Sequence, residues 1–378
     1  MTEAATPLED ATEAVRATAP LHGAADLVIR SIAPLVLALV TGGILIAALG
    51  HNPFGFYLDV WRGGIELSAW QDSLMRASTL VVIALGLIVV FRANIWNLGY
   101  QGQFLMAAAM VAGVGPRLER HLPNTVALLL CCLIAMATGA LWTVVPAILK
   151  ARYQTNEIIT TLMMSFIGVD LAQYLIKAQF QDFSTNVPQT SVLPLDSMLP
   201  SIPGTRAHVG VLIAAFLVLV VHVVLTRTSF GLKLQVLGAN PRAAVHVGLD
   251  PKRLILSAFV CSGALVGIAA AIEILGIWGY VRADWNPAYG DAVIPFVFLA
   301  RLNALAVVPF ILFYSVLSIG GDYATQNAGL PVDFLLVIVG LTLLFMVFIE
   351  YLGRRREMGR SYLTPGLREG LRIGKPKA

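Results

Sequence analysis

Charge is what this 378-residue sequence has least of. Only 13% of its residues are Asp, Glu, Lys or Arg, against about a quarter in an ordinary soluble domain. That is too few to clothe a surface facing water. Cysteine is scarce as well. Cys131, Cys132 and Cys261 all fall inside apolar runs, which reads as buried thiols and not as a disulfide framework. No Gly-x-x-x-x-Gly-Lys-[Ser/Thr] phosphate loop occurs, and the single Gly-Lys pair, Gly374-Lys375, is followed by Pro376. The six histidines, at 22, 51, 121, 208, 222 and 246, show no metal-ligand spacing. No nucleophile sits in a recognisable elbow. The chain is therefore expected to be no enzyme, to hydrolyse no ATP and to need no cofactor or metal. The formal charge of +4 points to no nucleic acid, because the cations lie at membrane flanks. A cleavable signal peptide is not expected, since the start carries Glu3, Glu9, Asp10, Glu13 and Asp26 without a basic region.

Apolar residues fill the space that charge leaves. They make up 57% of the chain, with a mean hydropathy of +0.78. Val81–Val90, Val126–Ala135, Val209–Leu225 and Phe334–Ile349 are long apolar runs. Each, with its flanks, supplies the roughly 20 residues that a helix needs to cross a bilayer. A β-barrel would alternate polar and apolar residues, and these runs do not. The expected fold class is an all-α polytopic membrane protein. About ten spans are expected, at 31–50, 73–92, 99–116, 124–148, 158–177, 207–226, 254–279, 290–305, 307–323 and 332–352.

Lys and Arg in short loops set the orientation. Arg227, Lys233, Arg242, Lys252 and Arg253 crowd the segment 227–253, and the chain after 353 carries eight cations. Both regions are expected in the cytoplasm, as is the 149–157 loop with Lys150 and Arg152. Counting back puts the N-terminus inside too. The expected organisation is a cytoplasmic tail over 1–30, a transmembrane domain over 31–352, and a basic cytoplasmic tail over 353–378, in the inner (cell) membrane. The longest outside loop, 178–206, holds four prolines and should be irregular, as a docking element or as a passive connector.

Two polar interruptions break the apolar pattern. One is Asn94-Ile-Trp-Asn-Leu-Gly-Tyr-Gln-Gly-Gln103, and the other is Trp278-Gly-Tyr-Val-Arg-Ala-Asp-Trp-Asn-Pro-Ala-Tyr-Gly-Asp291. Breaks at corresponding places in halves of opposite orientation mark an inverted repeat and point to a substrate path. In the first, Gly99 and Gly102 free the backbone while Asn97, Gln101 and Gln103 offer neutral donors and acceptors, suited to a solute rich in hydroxyls or ring nitrogens. The same side chains could equally glue helices together. Asp170 and Glu273 fall inside spans. Intramembrane carboxylates default to function, and Glu273, close to Trp278 and Tyr280, is the better cavity candidate. Ser262-Gly-Ala-Leu-Val-Gly267 is a small-residue face for close helix contact.

Between spans six and seven the punctuation is dense. Asn240 is a good N-cap, Pro241 a good first helical residue and Gly248 a good stop, and Asp250-Pro251 opens the next helix. A two-turn helix should hang below the bilayer, with Arg242, Ala243 and Ala244 on it. Too short to persist alone, it needs lipid headgroups or, as its small side chains suggest, a partner's groove.

Asn97-Leu-Gly-Tyr-Gln-Gly-Gln103 resembles the Asn-x-Gly-x-Glu-Gly-Gln motif of ABC-importer permeases for nucleosides and simple sugars, a branched-chain amino acid-like, binding-protein-dependent family. Thr155-Asn-Glu-Ile-Ile-Thr-Thr-Leu-Met-Met164, Gly238-Ala-Asn-Pro-Arg-Ala-Ala244 and Ser262-Gly-Ala-Leu-Val-Gly267 continue the match in order, over roughly 75–350. The resemblance implies a permease working with a second permease subunit, as a homo- or heterodimer, with two ATP-binding subunits and with an extracytoplasmic substrate-binding protein. It implies alternating access, path or gate roles for Asn97, Gln101, Gln103, Asn156 and Glu157, and a coupling-helix role for 240–248. Two departures touch the substrate. Gln101 stands where the family has Glu, and Pro295, Phe296 and Phe298 stand in a run where the family has small residues. The rival reading is a secondary transporter coupled to protons through Asp170 or Glu273. A third is a membrane scaffold that transports nothing.

Overall fold

The computed structural model describes residues 30–66, 68–331 and 334–357, the side chains of 354–357 excepted. The tails expected over 1–30 and 353–378 thus lie almost wholly outside the described residues. Within the described chain, fourteen α-helices follow one another. They are α1 (Arg30–Ala48), α2 (Pro53–Gly64), α3 (Ala69–Arg92), α4 (Tyr100–Glu119), α5 (Asn124–Trp142), α6 (Val144–Tyr153) and α7 (Glu157–Ala178). After these come α8 (Gly210–Arg227), α9 (Ser229–Ala239), α10 (Pro241–His246), α11 (Pro251–Glu273), α12 (Tyr289–Leu299), α13 (Val307–Ala328) and α14 (Phe334–Glu357). A π-helical turn, Ile274–Trp278, extends α11. Among the described residues there is no strand, only isolated bridges. The protein is an all-α, multi-pass membrane protein.

Eight of these segments are long and apolar enough to cross a membrane, counting α5 with α6 as one and α11 with its π turn as another. Two of the ten expected spans differ. The span expected at 99–116 is the 20-residue α4, whose polar first turn keeps it off that count. The span expected at 290–305 shrinks to the 11 residues of α12. At 1.5 Å per residue that is about 16 Å, short of the roughly 30 Å hydrocarbon layer. Arg301 and Leu302, at φ 51° and 56°, are left-handed and cannot continue it.

The chain divides into two compact units. One holds α1 and α14. Ala38 and Ile46 of α1 and Ile338 and Thr342 of α14 are buried. A side chain at Gly353 would come within 2.6 Å of the Arg30 guanidinium, so the start of α1 and the end of α14 share one end of the unit.

The other unit, Gly55–Val332, is built around α3, buried almost without interruption from Ala77 to Phe91. A helix buried all round must be apolar all round, and Thr79 is the exception that matters below. Against α3 lie α8, α11, α12 and α13. A close backbone approach joins α5 to α11, where Gly139 meets Gly263 and Gly267 meets Ala135 with no room for a Cβ. The small-residue face 262–267 is thus a helix contact.

The loop after α7 is irregular apart from one 3-10 turn, Leu195–Ser197. It is not slack. Its backbone is stitched to the end of α11 and the segment beyond by Leu199 N–H to Leu275 O (2.8 Å), Leu193 N–H to Gly279 O (3.0 Å) and Thr190 N–H to Val281 O (3.0 Å). A reverse bond runs from Ala283 N–H to Pro188 O (2.9 Å).

Candidate functional site

The first break begins where α3 ends. Asn94 takes the left-handed conformation at φ 55°, and the chain turns back alongside the bundle. Gly86, in the last third of α3, abuts the Ser262 carbonyl, and Asn97 Nδ2 donates to Ser262 Oγ at 3.2 Å. Asn97 therefore lies level with the middle of α11, and α4 starts at that depth. Extended backbone at such a level needs its polar groups satisfied internally. Side chains supply the partners. Asn97 Oδ1 accepts from Gly99 N–H (3.0 Å) and Gln103 Nε2 (3.0 Å), and Asn97 Nδ2 also donates to Gln103 Oε1 (3.3 Å). Thr161 Oγ1 accepts from Leu98 N–H (3.1 Å), and Ser165 Oγ accepts from Gly102 N–H (3.1 Å), both from α7. Gly102 is required here, because a Cβ would sit 2.8 Å from the Ser165 backbone.

Asn97 and Gln103 are fully buried. They brace the break from behind, and Gln101 alone of the three amides is partly exposed. Its Nε2 donates to Asn286 Oδ1 at 2.7 Å, in the middle of the second break. One residue earlier, Tyr100 OH donates to Asp291. Its ring lies against Gly290, where no side chain would fit. Phe104 continues the contact to Trp285 and Tyr289, with ring centroids 6.0 and 5.7 Å apart. The two polar breaks of the sequence meet at one place.

Behind this junction lies Glu273, with no exposed surface. Its carboxylate accepts from Thr79 Oγ1 (2.7 Å), Tyr289 OH (2.7 Å) and Trp278 Nε1 (3.0 Å). Arg76 Nη1 stands 3.9 Å away and also donates to Tyr289 OH. The guanidinium lies over the Tyr289 ring, 4.9 Å from its centroid. A buried carboxylate persists only when paired and hydrogen-bonded, and here α3, α11, the π turn and α12 all contribute. Sequence patterns singled out Glu273 and Trp278 but not Arg76, Thr79 or Tyr289. Arg76 sits near the start of a span, where cations ordinarily serve as flanks, and only its depth in the fold marks it. Trp278 is about one-third exposed and meets Trp285 edge to face at 5.9 Å. Beyond them Arg282 donates to Asp284 (2.8 Å) and holds its carboxyl below the usual range.

The remaining expected residues lie apart from this junction. Asn156 caps α7, its side chain accepting from Ile158 N–H (3.0 Å). Glu157 pairs with Lys150 at 2.7 Å. Asp170 is exposed on the outer face of α7, among exposed Phe166, Ile167 and Tyr174. Asn240 caps α10, accepting from Arg242 N–H (3.0 Å) and Ala243 N–H (3.2 Å). Pro241 takes the first helical position, and Gly248 follows at φ 78°. Ala244 is completely buried against the bundle. The outward face of α10 and its exit is made instead by Arg242, Val245, His246 and Val247, the two valines being 58% and 67% exposed.

Residues 70–347 match the family described as branched-chain amino acid transport system / permease component. The chain belongs to this family. It is similar to the glucose ABC transporter permease protein of Haloferax volcanii, with 31% identity over 85% of this chain and 87% of that one. It is also similar to the guanosine ABC transporter permease protein of Bacillus subtilis (24% identity; 82% and 90%). A third relative is the probable riboflavin import permease protein of Treponema pallidum (24%; 82% and 83%). The chain is thus the membrane permease component of an ATP-driven transporter. ATP hydrolysis belongs to a separate subunit, and ATP-binding subunits and a substrate-binding protein are its partners in general. Proton-coupled secondary transport gives way to that membership.

Proposed function

We propose that this permease carries a neutral, hydroxyl- or ring-nitrogen-bearing solute, a nucleoside or a simple sugar, by alternating access. The observation that carries this reading is the junction at Gln101 and Asn286. Two neutral amides from separate breaks are paired there by a short hydrogen bond that a passing hydroxyl or ring nitrogen can replace group for group. Trp278 and Trp285 beside it offer apolar faces on which a base or sugar ring stacks. Glu273 acts from behind by fixing Trp278 and Tyr289, and Asn97 and Gln103 by fixing the start of α4. Asn156 and Glu157 set the entry of α7, whose far end exposes Asp170.

That exposed carboxylate on an otherwise apolar helix face is costly beside lipid, on the order of 2.5–3.5 kcal/mol at a helix centre. A second permease subunit, identical or paralogous, covers the face and lets water reach Asp170. Both termini lie in the cytoplasm in this reading. The shared end of α1 and α14 and the cations of 227–253 support it. So does the placing of 240–248 as the coupling helix, seated in the ATP-binding subunit through Val245 and Val247.

The test is uptake by the full complex reconstituted in liposomes. ATP-dependent entry of a nucleoside or hexose, abolished without the ATP-binding subunits, is expected. Uptake by the permease alone down a proton gradient would overturn the reading.

A further inference from the structure

At the end of the larger unit opposite α10, the last turns of α4 and the chain leaving α7 enclose a polar cleft of about 130 Å³. Arg117, Arg120, Gln179, Gln181 and Ser191 line it around an apolar floor that includes Gly113 and Phe180. Every one of those polar side chains can donate hydrogen bonds, and none of the lining residues is acidic. The nearest acid along the α7 exit, Asp182, already accepts from Ser184 through both its hydroxyl (2.6 Å) and its N–H (2.9 Å).

The arginines are not simply adrift in solvent. The Phe180 ring lies flat in the space that a side chain at Gly113 would need, and the Arg117 guanidinium stands over that ring at 5.6 Å. Cation–π contact orients the fork while leaving its N–H groups free to bind. The cleft also sits at a particular depth. Ala112 and Gly113 belong to the part of α4 packed among spanning helices, while Arg117 and Arg120 lie one to two turns on, where the helix leaves the bundle. Two guanidiniums, two amides and a hydroxyl around a space of this size match the tetrahedral oxygens of one phosphate group.

We infer that this cleft binds a phosphate group, with Arg117 and Arg120 as its charged ligands. The phosphate arrives either on a lipid headgroup at the membrane surface or as a free ion. The site is separate from the junction of the two breaks, and it stands whether or not the cargo assigned above is correct.

The experiment uses the full transporter in two arms. In the first, native mass spectrometry follows phosphatidylglycerol retained by the complex as it is released from nanodiscs. In the second, inorganic phosphate is titrated against the delipidated complex in detergent, read by thermal shift, with chloride at equal ionic strength as control. Wild type is compared with Arg117→Gln/Arg120→Gln and with Arg117→Lys/Arg120→Lys. Retention of lipid that falls tenfold or more in the Gln pair, with partial recovery in the Lys pair, assigns the site to lipid headgroups. A phosphate-specific shift lost in the Gln pair assigns it to the free ion. Equal lipid retention and equal shifts in all three proteins overturn the proposal. Far-UV circular dichroism and assembly with the ATP-binding subunits confirm that each variant is folded. Phe180→Leu supplies a second check, with a several-fold weakening expected and an unchanged affinity counting against the arrangement described.

Discussion

Gln101 and Asn286 stand 185 positions apart in sequence and share a hydrogen bond of 2.7 Å. Each lies in a break of an otherwise apolar bundle, and their contact makes the two breaks one site. It is also a contact between exposed or half-exposed groups, so water competes for it and its net contribution to stability is small, about 1 kcal/mol. A bond of that strength is well suited to being made and broken during a transport cycle.

Replacing Gln101 with Ala is therefore expected to leave the melting temperature of the complex nearly unchanged and to cut uptake by tenfold or more. Gln101→Glu restores the family's residue, and its effect should depend on the solute. A neutral cargo bound through the amide N–H loses affinity when that donor becomes a carboxylate. If Gln101→Ala transports at the wild-type rate, the junction is not on the path.

Glu273 should behave in the opposite way. Removing one partner from a buried, paired carboxylate typically costs about 3–5 kcal/mol. Glu273→Ala, which removes the carboxylate beside Arg76, is expected to lower the melting temperature and the yield of assembled complex. Thr79→Val removes one donor, with an expected cost of about 1–3 kcal/mol. A Glu273→Ala protein as stable as wild type, read by thermal unfolding in detergent, would show that the network is dispensable.

Asn97→Leu tests the bracing role of the first break. The substitution orphans the Gly99 N–H and the Gln103 amide, at about 1–3 kcal/mol for each group left unpaired. Loss of stability in step with loss of uptake is the expected pattern. Loss of uptake at full stability would instead move Asn97 onto the path itself.

Val245→Asp together with Val247→Asp places charge on the outward side of α10 without touching its buried face. Binding of the ATP-binding subunits should fall by tenfold or more, with the membrane domain still folded. Ala244→Glu should instead unfold the local structure, because Ala244 has no exposed surface. Normal ATPase binding by the double aspartate variant would remove this helix from the coupling role.

Gly263→Leu drives a bulky side chain into Gly139, where α5 and α11 meet backbone to backbone. Overpacking of this kind costs about 1–3 kcal/mol or more, and it is expected to reduce expression of folded protein. A variant of wild-type yield and stability would mean that α5 and α11 can separate.

The caps of α10 and α11 were legible residue by residue, because an Asn or Asp side chain followed by Pro acts on backbone two or three positions away. The small-residue face at 262–267 was legible for a similar reason, its four-residue spacing placing Gly263 and Gly267 along one side of a helix. The eighth span was not. A run as apolar as 290–305 carries the same composition whether it crosses the membrane or stops halfway, and the turn at Arg301 and Leu302 is set by neighbours, not by propensity. The amides at 97, 101 and 103 looked alike in sequence and proved unlike in place, two buried and one open.

By itself the sequence determined the solvent this protein lives in, the α-helical class that such a solvent enforces, and the ends of its best-capped helices. All of these follow from composition and from interactions that span a few residues. Tertiary structure alone decided that the chain turns back at Asn94, that the two breaks meet, and that Arg76 and Thr79 serve Glu273. Those outcomes depend on contacts between residues roughly two hundred positions apart, whose geometry arises only once the helices have packed.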